Sequence, residues 1–176
     1  MAKISLNKLG LKIDDSVSVV KFNEQDIEVK HYLPVNEKLD LISAVINESA
    51  DDLKFYNVGK LEIFKVIEMV KHYTNINFTE KQLEDAAKLY DLLDSTGLAG
   101  ELLAVIPDVE KDFIEDVLFD TVDSIYKYQN SIMGILDAVN ADYKDLNFDV
   151  SELQKNISNP ENLTLLKDVL ISMFSI

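Results

Sequence analysis

The chain contains no cysteine and no arginine, and each absence excludes a class of chemistry. Without cysteine it has no disulfide, no thiolate nucleophile and no cysteine-based metal site. Without arginine it lacks the planar side chain that holds a phosphate or carboxylate through two parallel hydrogen bonds. Glycine (5 residues) and proline (3 residues) are scarce, which argues against a disordered or fibrous chain. A length of 176 residues predicts one domain, 1–176. Hydrophobic residues make up 47% of it, which is enough for a substantial core.

The chain is strongly acidic, with 32 Asp and Glu against 17 lysines and a net charge of −15. Such a surface repels a phosphate backbone, so direct binding to nucleic acid is not expected. No window of 18 apolar residues is present, and the sequence therefore predicts no membrane-spanning helix. Residues 1–15 alternate apolar and basic side chains without the apolar core of a secretory signal. A cytoplasmic location is therefore expected.

An alternating pattern predicts a small β-hairpin over about residues 16–33. Val17 and Val19 alternate with polar residues, residues 23–26 supply turn chemistry, and Ile27 and Val29 alternate again in the returning strand. Two strands alone are marginally stable in water. We therefore expect the hairpin to pack on helices or to pair through its edge with a second copy of the chain.

A helical period of three to four residues dominates the remainder, so the expected fold is a mainly α-helical bundle. Its centre is one long helix over about 108–139, which Asp108 would cap. Residues 1–34 would form an arm and the hairpin, and residues 35–176 the helical body. The other predicted helices cover 37–49 (capped by Asn36), 60–73, 79–93, 98–106 and 159–176.

The sequence contains no constellation typical of a catalytic or metal site. His31 and His72 are the only histidines, and neither forms the Glu-x-x-His pair of helical di-metal proteins. Residues 145–156 begin like a calcium loop but lack the required glycine and the final glutamate. Phosphate-binding glycine loops and nucleophile elbows are absent as well. The sequence therefore predicts no enzyme, no cofactor and no metal.

Acidic residues crowd the start of the long helix, where Asp112, Asp116 and Asp120 recur every four residues and share one face. One interpretation is a solvated surface. The alternatives are a docking stripe for a basic partner or a mimic of a phosphate backbone.

The last predicted helix carries more apolar surface than one buried stripe requires. Leu165, Val169, Phe174 and Ile176 widen its apolar surface beyond the inward face of Leu163, Leu166, Leu170 and Met173. Because large exposed apolar patches tend to mark interaction sites, the four residues that widen the surface are candidates for a subunit or partner contact.

Several segments resemble proteins from the structural gene modules of tailed phages that infect low-GC Gram-positive bacteria. The similar sequence segments are Val19–Pro34 (VVKFNEQDIEVKHYLP), Glu37–Leu39, Tyr73–Gln82 (YTNINFTEKQ) and Leu89–Leu93. Within that module, a short hairpin followed by an acidic helical body is similar to the tail assembly chaperones of long-tailed phages.

The resemblance implies a non-enzymatic chaperone that binds the tape measure protein and the tail tube protein in the cytoplasm of the infected host. A homo-oligomer is also compatible with it. Two alternatives remain open at this point: an acidic inhibitor that mimics DNA and blocks a host defence nuclease, and a static virion component such as a connector.

Overall fold

A computed structural model describes residues 3–51 and 56–142 of the chain. The chain separates into two compact units, Met1–Val122 and Asp123–Ile176. The mainly helical fold with a small N-terminal hairpin is confirmed. The single-domain expectation stays a prediction, and the expected helix at 159–176 lies outside the described residues.

The hairpin consists of β1 (Val17–Phe22) and β2 (Gln25–Lys30), paired antiparallel with Val20 opposite Ile27. Its turn is Asn23–Glu24, where both residues have positive φ angles (47° and 64°). Positive φ at both central positions is typical of the tight turns that match the twist of a two-stranded ribbon. The predicted hairpin therefore forms, with a shorter turn than expected.

The hairpin does pack on helices, as one of the two expectations required. Ile27 and Val29 are buried, and Val29 forms a bridge with Thr74 after the second helix. Asn75 adds two hydrogen bonds to Glu28: its backbone N–H donates to the Glu28 carbonyl (3.3 Å), and its side-chain oxygen accepts from the Glu28 N–H (3.2 Å).

Helices α1 (Val35–Ser49) and α2 (Val58–Tyr73) pack against each other. Asn57 begins α2, because its side chain accepts hydrogen bonds from the N–H groups of Gly59 and Lys60. Asn36 was expected to cap α1, and this is wrong: α1 begins at Val35 directly after Pro34, and Asn36 lies inside the first turn. The buried side chains of the two helices include Leu41, Ile42, Val45, Leu61, Val66, Ile67, Met69, Val70 and Tyr73.

The helix predicted over 79–93 is two helices, α3 (Glu80–Leu83) and α4 (Ala86–Ser95). Asp85 causes the division, since its side chain accepts a hydrogen bond from the N–H of Lys88 (3.2 Å) and so caps a new helix. Gly97 then turns the chain with φ = 77°, a left-handed conformation that favours glycine. The predicted fourth helix follows as α5 (Leu98–Val105).

The long helix begins at Asp108, but Asp108 is its first residue and not its cap, because the first N–H groups of the helix donate to the Pro107 carbonyl. The helix also does not continue to 139. Helix α6 (Asp108–Gln129) ends, and α7 (Ile132–Asp142) begins after a turn. The Ser131 hydroxyl accepts a hydrogen bond from the N–H of Gly134 (3.1 Å), which makes Ser131 the cap of α7. None of the described helices is both long and apolar enough to cross a membrane.

Candidate functional site

Glu110 differs from the other acids at the start of α6 because its side chain is buried, with 5% of the residue exposed. It lies one turn before Ile114 and two turns before Leu118, so it shares the buried stripe of α6. One carboxylate oxygen, Oε1, accepts a hydrogen bond from Lys38 Nζ of α1 at 2.6 Å. The other oxygen, Oε2, accepts from the Tyr73 hydroxyl at 2.9 Å and from the backbone N–H of Leu33 at 3.1 Å.

The ammonium group of Lys38 is enclosed by aromatic rings as well as by the carboxylate. Its Nζ lies 4.4 Å from the centre of the Tyr32 ring and 5.0 Å from that of Phe113. Both distances allow cation–π attraction. Lys38 is itself buried, with 6% of the residue exposed. The carboxylate and the two rings therefore replace the water that would otherwise stabilise its charge.

These residues form a buried polar cluster that connects four segments: the end of the hairpin, α1, α2 and α6. We define the cluster as Leu33, Lys38, Tyr73 and Glu110. A groove of about 460 Å³ lies along α3 and α4, and another of about 270 Å³ lies beside the start of β1. None of the four residues lines either groove, and none is more than 6% exposed, so the cluster has the geometry of an internal anchor.

The cluster also gives the fold a specific response to alkaline pH. The pKa of Tyr73 is raised above its ordinary value of 10.0, first by burial and then by the hydrogen bond and the negative charge of Glu110. Because the folded state holds this proton more tightly than the unfolded state, the stabilisation is complete below pH 10 and decreases as the pH rises above it. The expected slope is about 1.4 kcal/mol of unfolding free energy per pH unit.

Replacing Tyr73 with phenylalanine tests this response. At neutral pH, Tyr73→Phe should lower the free energy of unfolding by about 1.5–3 kcal/mol, because a hydrogen bond to a charged group is lost. Above pH 10, the variant should lose stability less steeply than the wild type in urea unfolding at successive pH values. Equal alkaline slopes in the two proteins would contradict the assignment.

A second feature lies on the opposite side of α6. Ile114 and Leu118 face the core, whereas Asp112, Asp116 and Asp120 are all exposed. The sequence prediction that these three carboxylates share one face of a helix is therefore correct. Among the described residues, no lysine or histidine forms an ion pair with any of the three. Lys111, the nearest lysine in sequence, pairs with Asp108.

Large apolar side chains accompany the three carboxylates. Val109 is 71% exposed, Phe119 49% and Phe113 37%. At 3.6 residues per turn, these residues and the three aspartates cover about a third of the circumference of α6. We call this surface the acid–apolar face and define it as Val109, Asp112, Phe113, Asp116, Phe119 and Asp120. Solvation explains the acids, and Phe113 also contacts Lys38. Neither explains the exposed side chains of Val109 and Phe119 beside them.

Both histidines contact polar side chains of the fold. His31 Nε2 lies 2.7 Å from the Ser18 hydroxyl, and its Nδ1 lies 3.1 Å from that of Ser16, which ties the residue after β2 to β1. His72 Nε2 lies 3.3 Å from Glu68 Oε2 within α2. Among residues 3–51 and 56–142, no group of three or more histidine, aspartate and glutamate side chains could hold a metal ion.

The remaining predicted contact residues, Leu165, Val169, Phe174 and Ile176, lie outside the described residues. The sequence analysis did not predict the buried cluster, because Glu110 is one of many acidic residues at the start of α6, and most of its neighbours among them are exposed. In comparisons with known proteins, no protein-family model, no curated protein and no solved structure matches this chain.

Proposed function

We propose that this chain is a non-enzymatic assembly protein, a chaperone that holds the tape measure protein or the tail tube protein of a tailed phage in the cytoplasm of the infected host. The acid–apolar face of α6 is the observation that supports a binding role. Exposed phenylalanine and valine side chains supply contact area for an apolar partner surface, and the aspartates between them favour a partner that carries lysine or arginine. The sequence resemblance supports the choice of phage structural proteins as partners.

The proposal is tested by isolating the tagged chain from infected cells and identifying the proteins that accompany it by mass spectrometry. The wild type should retain the tape measure protein or the tail tube protein. The variant Asp112→Lys/Asp116→Lys/Asp120→Lys should retain about tenfold less or worse, because like charges then oppose each other across the contact.

A matched control separates this local effect from a general change in charge. Asp91, Asp94 and Glu101 are exposed on α4 and α5, so the triple lysine variant at these positions changes the net charge equally. It should retain the partner as the wild type does. Equal losses in the two variants, or recovery of neither phage protein by the wild type, would contradict the proposal.

A second candidate function is supported by the row of three exposed carboxylates, which have no ion-pair partner in the part of the chain that the structure describes. An acidic inhibitor that imitates DNA would use such a row to occupy the nucleic-acid site of a nuclease. It should then be recovered with a nuclease, and DNA and added salt should both displace it. The apolar side chains within the face favour the chaperone, because the phosphate backbone that such an inhibitor would imitate has no apolar groups at its surface. A connector, in contrast, would be abundant in purified virions.

A further inference from the structure

The segment before the hairpin is both apolar and basic, and the proposed function assigns it no role. We define the arm as residues 3–13, which include a short 3₁₀ turn at Leu6–Leu9. Its five large apolar residues are all more than half exposed: Ile4, Leu6, Leu9, Leu11 and Ile13. The arm also carries Lys3, Lys8 and Lys12, and none of the 32 acidic residues of the chain lies before Asp14.

The arm is thus a basic and apolar segment attached to a strongly acidic protein. The acid–apolar face of α6 has the complementary composition: three aspartates without a basic partner in the described part of the chain, and three exposed apolar side chains. Opposite charge combined with apolar contact is the arrangement that gives a protein interface both its specificity and its contact energy.

We propose that the arm of one copy binds the acid–apolar face of α6 in a second copy. Two copies joined by two such contacts would form a symmetric dimer, since each copy contributes one arm and one face. The contact is assigned to a second copy because, within one protomer, the arm and the face both stay exposed. This inference rests on the proposed function in one respect: the face that the second copy's arm occupies is the face assigned to the phage partner. The arm therefore keeps the apolar side chains of the face covered until the partner displaces it.

The test is the molar mass of the purified full chain, without any partner, measured by sedimentation over a dilution series. The wild type should reach twice the 19.9 kDa mass of one chain and dissociate on dilution. The arm variant Lys3→Glu/Lys8→Glu/Lys12→Glu should be a monomer, and so should the face variant Asp112→Lys/Asp116→Lys/Asp120→Lys, because in each of them arm and face carry the same sign.

Mixing the two variants provides the sharpest outcome. In a mixed pair, the basic arm of the face variant meets the acidic face of the arm variant, and the acidic arm meets the basic face. The mixture should therefore form dimers that neither variant forms alone. A matched control, Lys60→Glu/Lys81→Glu/Lys88→Glu, changes three exposed lysines elsewhere and should dimerise as the wild type does.

Three outcomes would overturn the inference: a wild type that is a monomer at every concentration, variants that still dimerise alone, or a mixture that stays monomeric. Circular dichroism of each variant shows whether it has folded, and the mixture remains decisive because both of its components must be folded to associate. Failure of the proposed function gives a different result. The chain would then dimerise through its arm and yet retain no phage structural protein from infected cells.

Discussion

Replacing Glu110 with alanine is expected to lower the free energy of unfolding by about 3–5 kcal/mol. The substitution leaves the Lys38 ammonium buried without its carboxylate, and it removes the acceptor of the Tyr73 hydroxyl and of the Leu33 N–H. An isolated buried charge is costly because neither water nor a counter-charge compensates for its lost hydration. Urea unfolding at neutral pH measures the loss directly.

Two further variants show whether the loss comes from the unpaired charge. The double variant Lys38→Met/Glu110→Leu removes both charges, and it should recover most of the stability that Glu110→Ala loses. Glu115 offers the comparison: it pairs with the buried Lys65 at 2.7 Å, but its own side chain is 48% exposed, and Lys65 keeps Glu62 as a second partner at 2.8 Å. Glu115→Ala should therefore cost only about 0.2–1 kcal/mol. Equal losses for Glu110→Ala and Glu115→Ala would contradict the description of the buried cluster.

Replacing Gly134 with alanine is expected to change the path of the chain between α6 and α7. A Cβ atom at this position would overlap the carbonyl oxygen of Tyr128 and lie 3.0 Å from the Cα atom of Gln129. Because these are backbone atoms, the turn itself must shift. Alanine also favours a helix interior over glycine by about 1 kcal/mol, so both effects push residues 130–134 towards a continuous helix.

The distance between two spin labels measures this change. The chain has no cysteine of its own, so Ser124→Cys and Ala138→Cys would carry the only labels. A straight helix would separate these positions by about 21 Å along its axis. The parent protein should give a shorter distance, and Gly134→Ala should shift it towards the longer one. Gly100→Ala is the control, since a Cβ there meets nothing within 4 Å. Unchanged distances in Gly134→Ala would show that the turn does not depend on glycine.

The sequence predicted the hairpin and the helical class because these depend on periodicity, which the core enforces at every turn. It missed two helix breaks for one common physical reason. Asp85 and Ser131 lie inside apolar patterns that look continuous, but each side chain accepts a backbone hydrogen bond and starts a new helix. Residues that cap helices interrupt a helix without changing its hydrophobic period.

The candidate site was predictable in part. The shared face of Asp112, Asp116 and Asp120 follows from their spacing alone, and the structure places all three in solvent. Burial of Glu110 could have been read from its position four residues before Ile114, on the apolar stripe. Its partners could not, because Lys38 and Tyr73 are 72 and 37 residues away in sequence and meet Glu110 only through tertiary packing.

The central claim is that the acid–apolar face of α6 binds the partner, and zero-length cross-linking tests it most directly. A carbodiimide joins a carboxylate to a lysine only when the two are in contact. Applied to the complex isolated from infected cells, it should join Asp112, Asp116 or Asp120 to lysines of the phage protein. Cross-links confined to acids on other surfaces, such as Asp91 and Asp94 of α4, would contradict the claim.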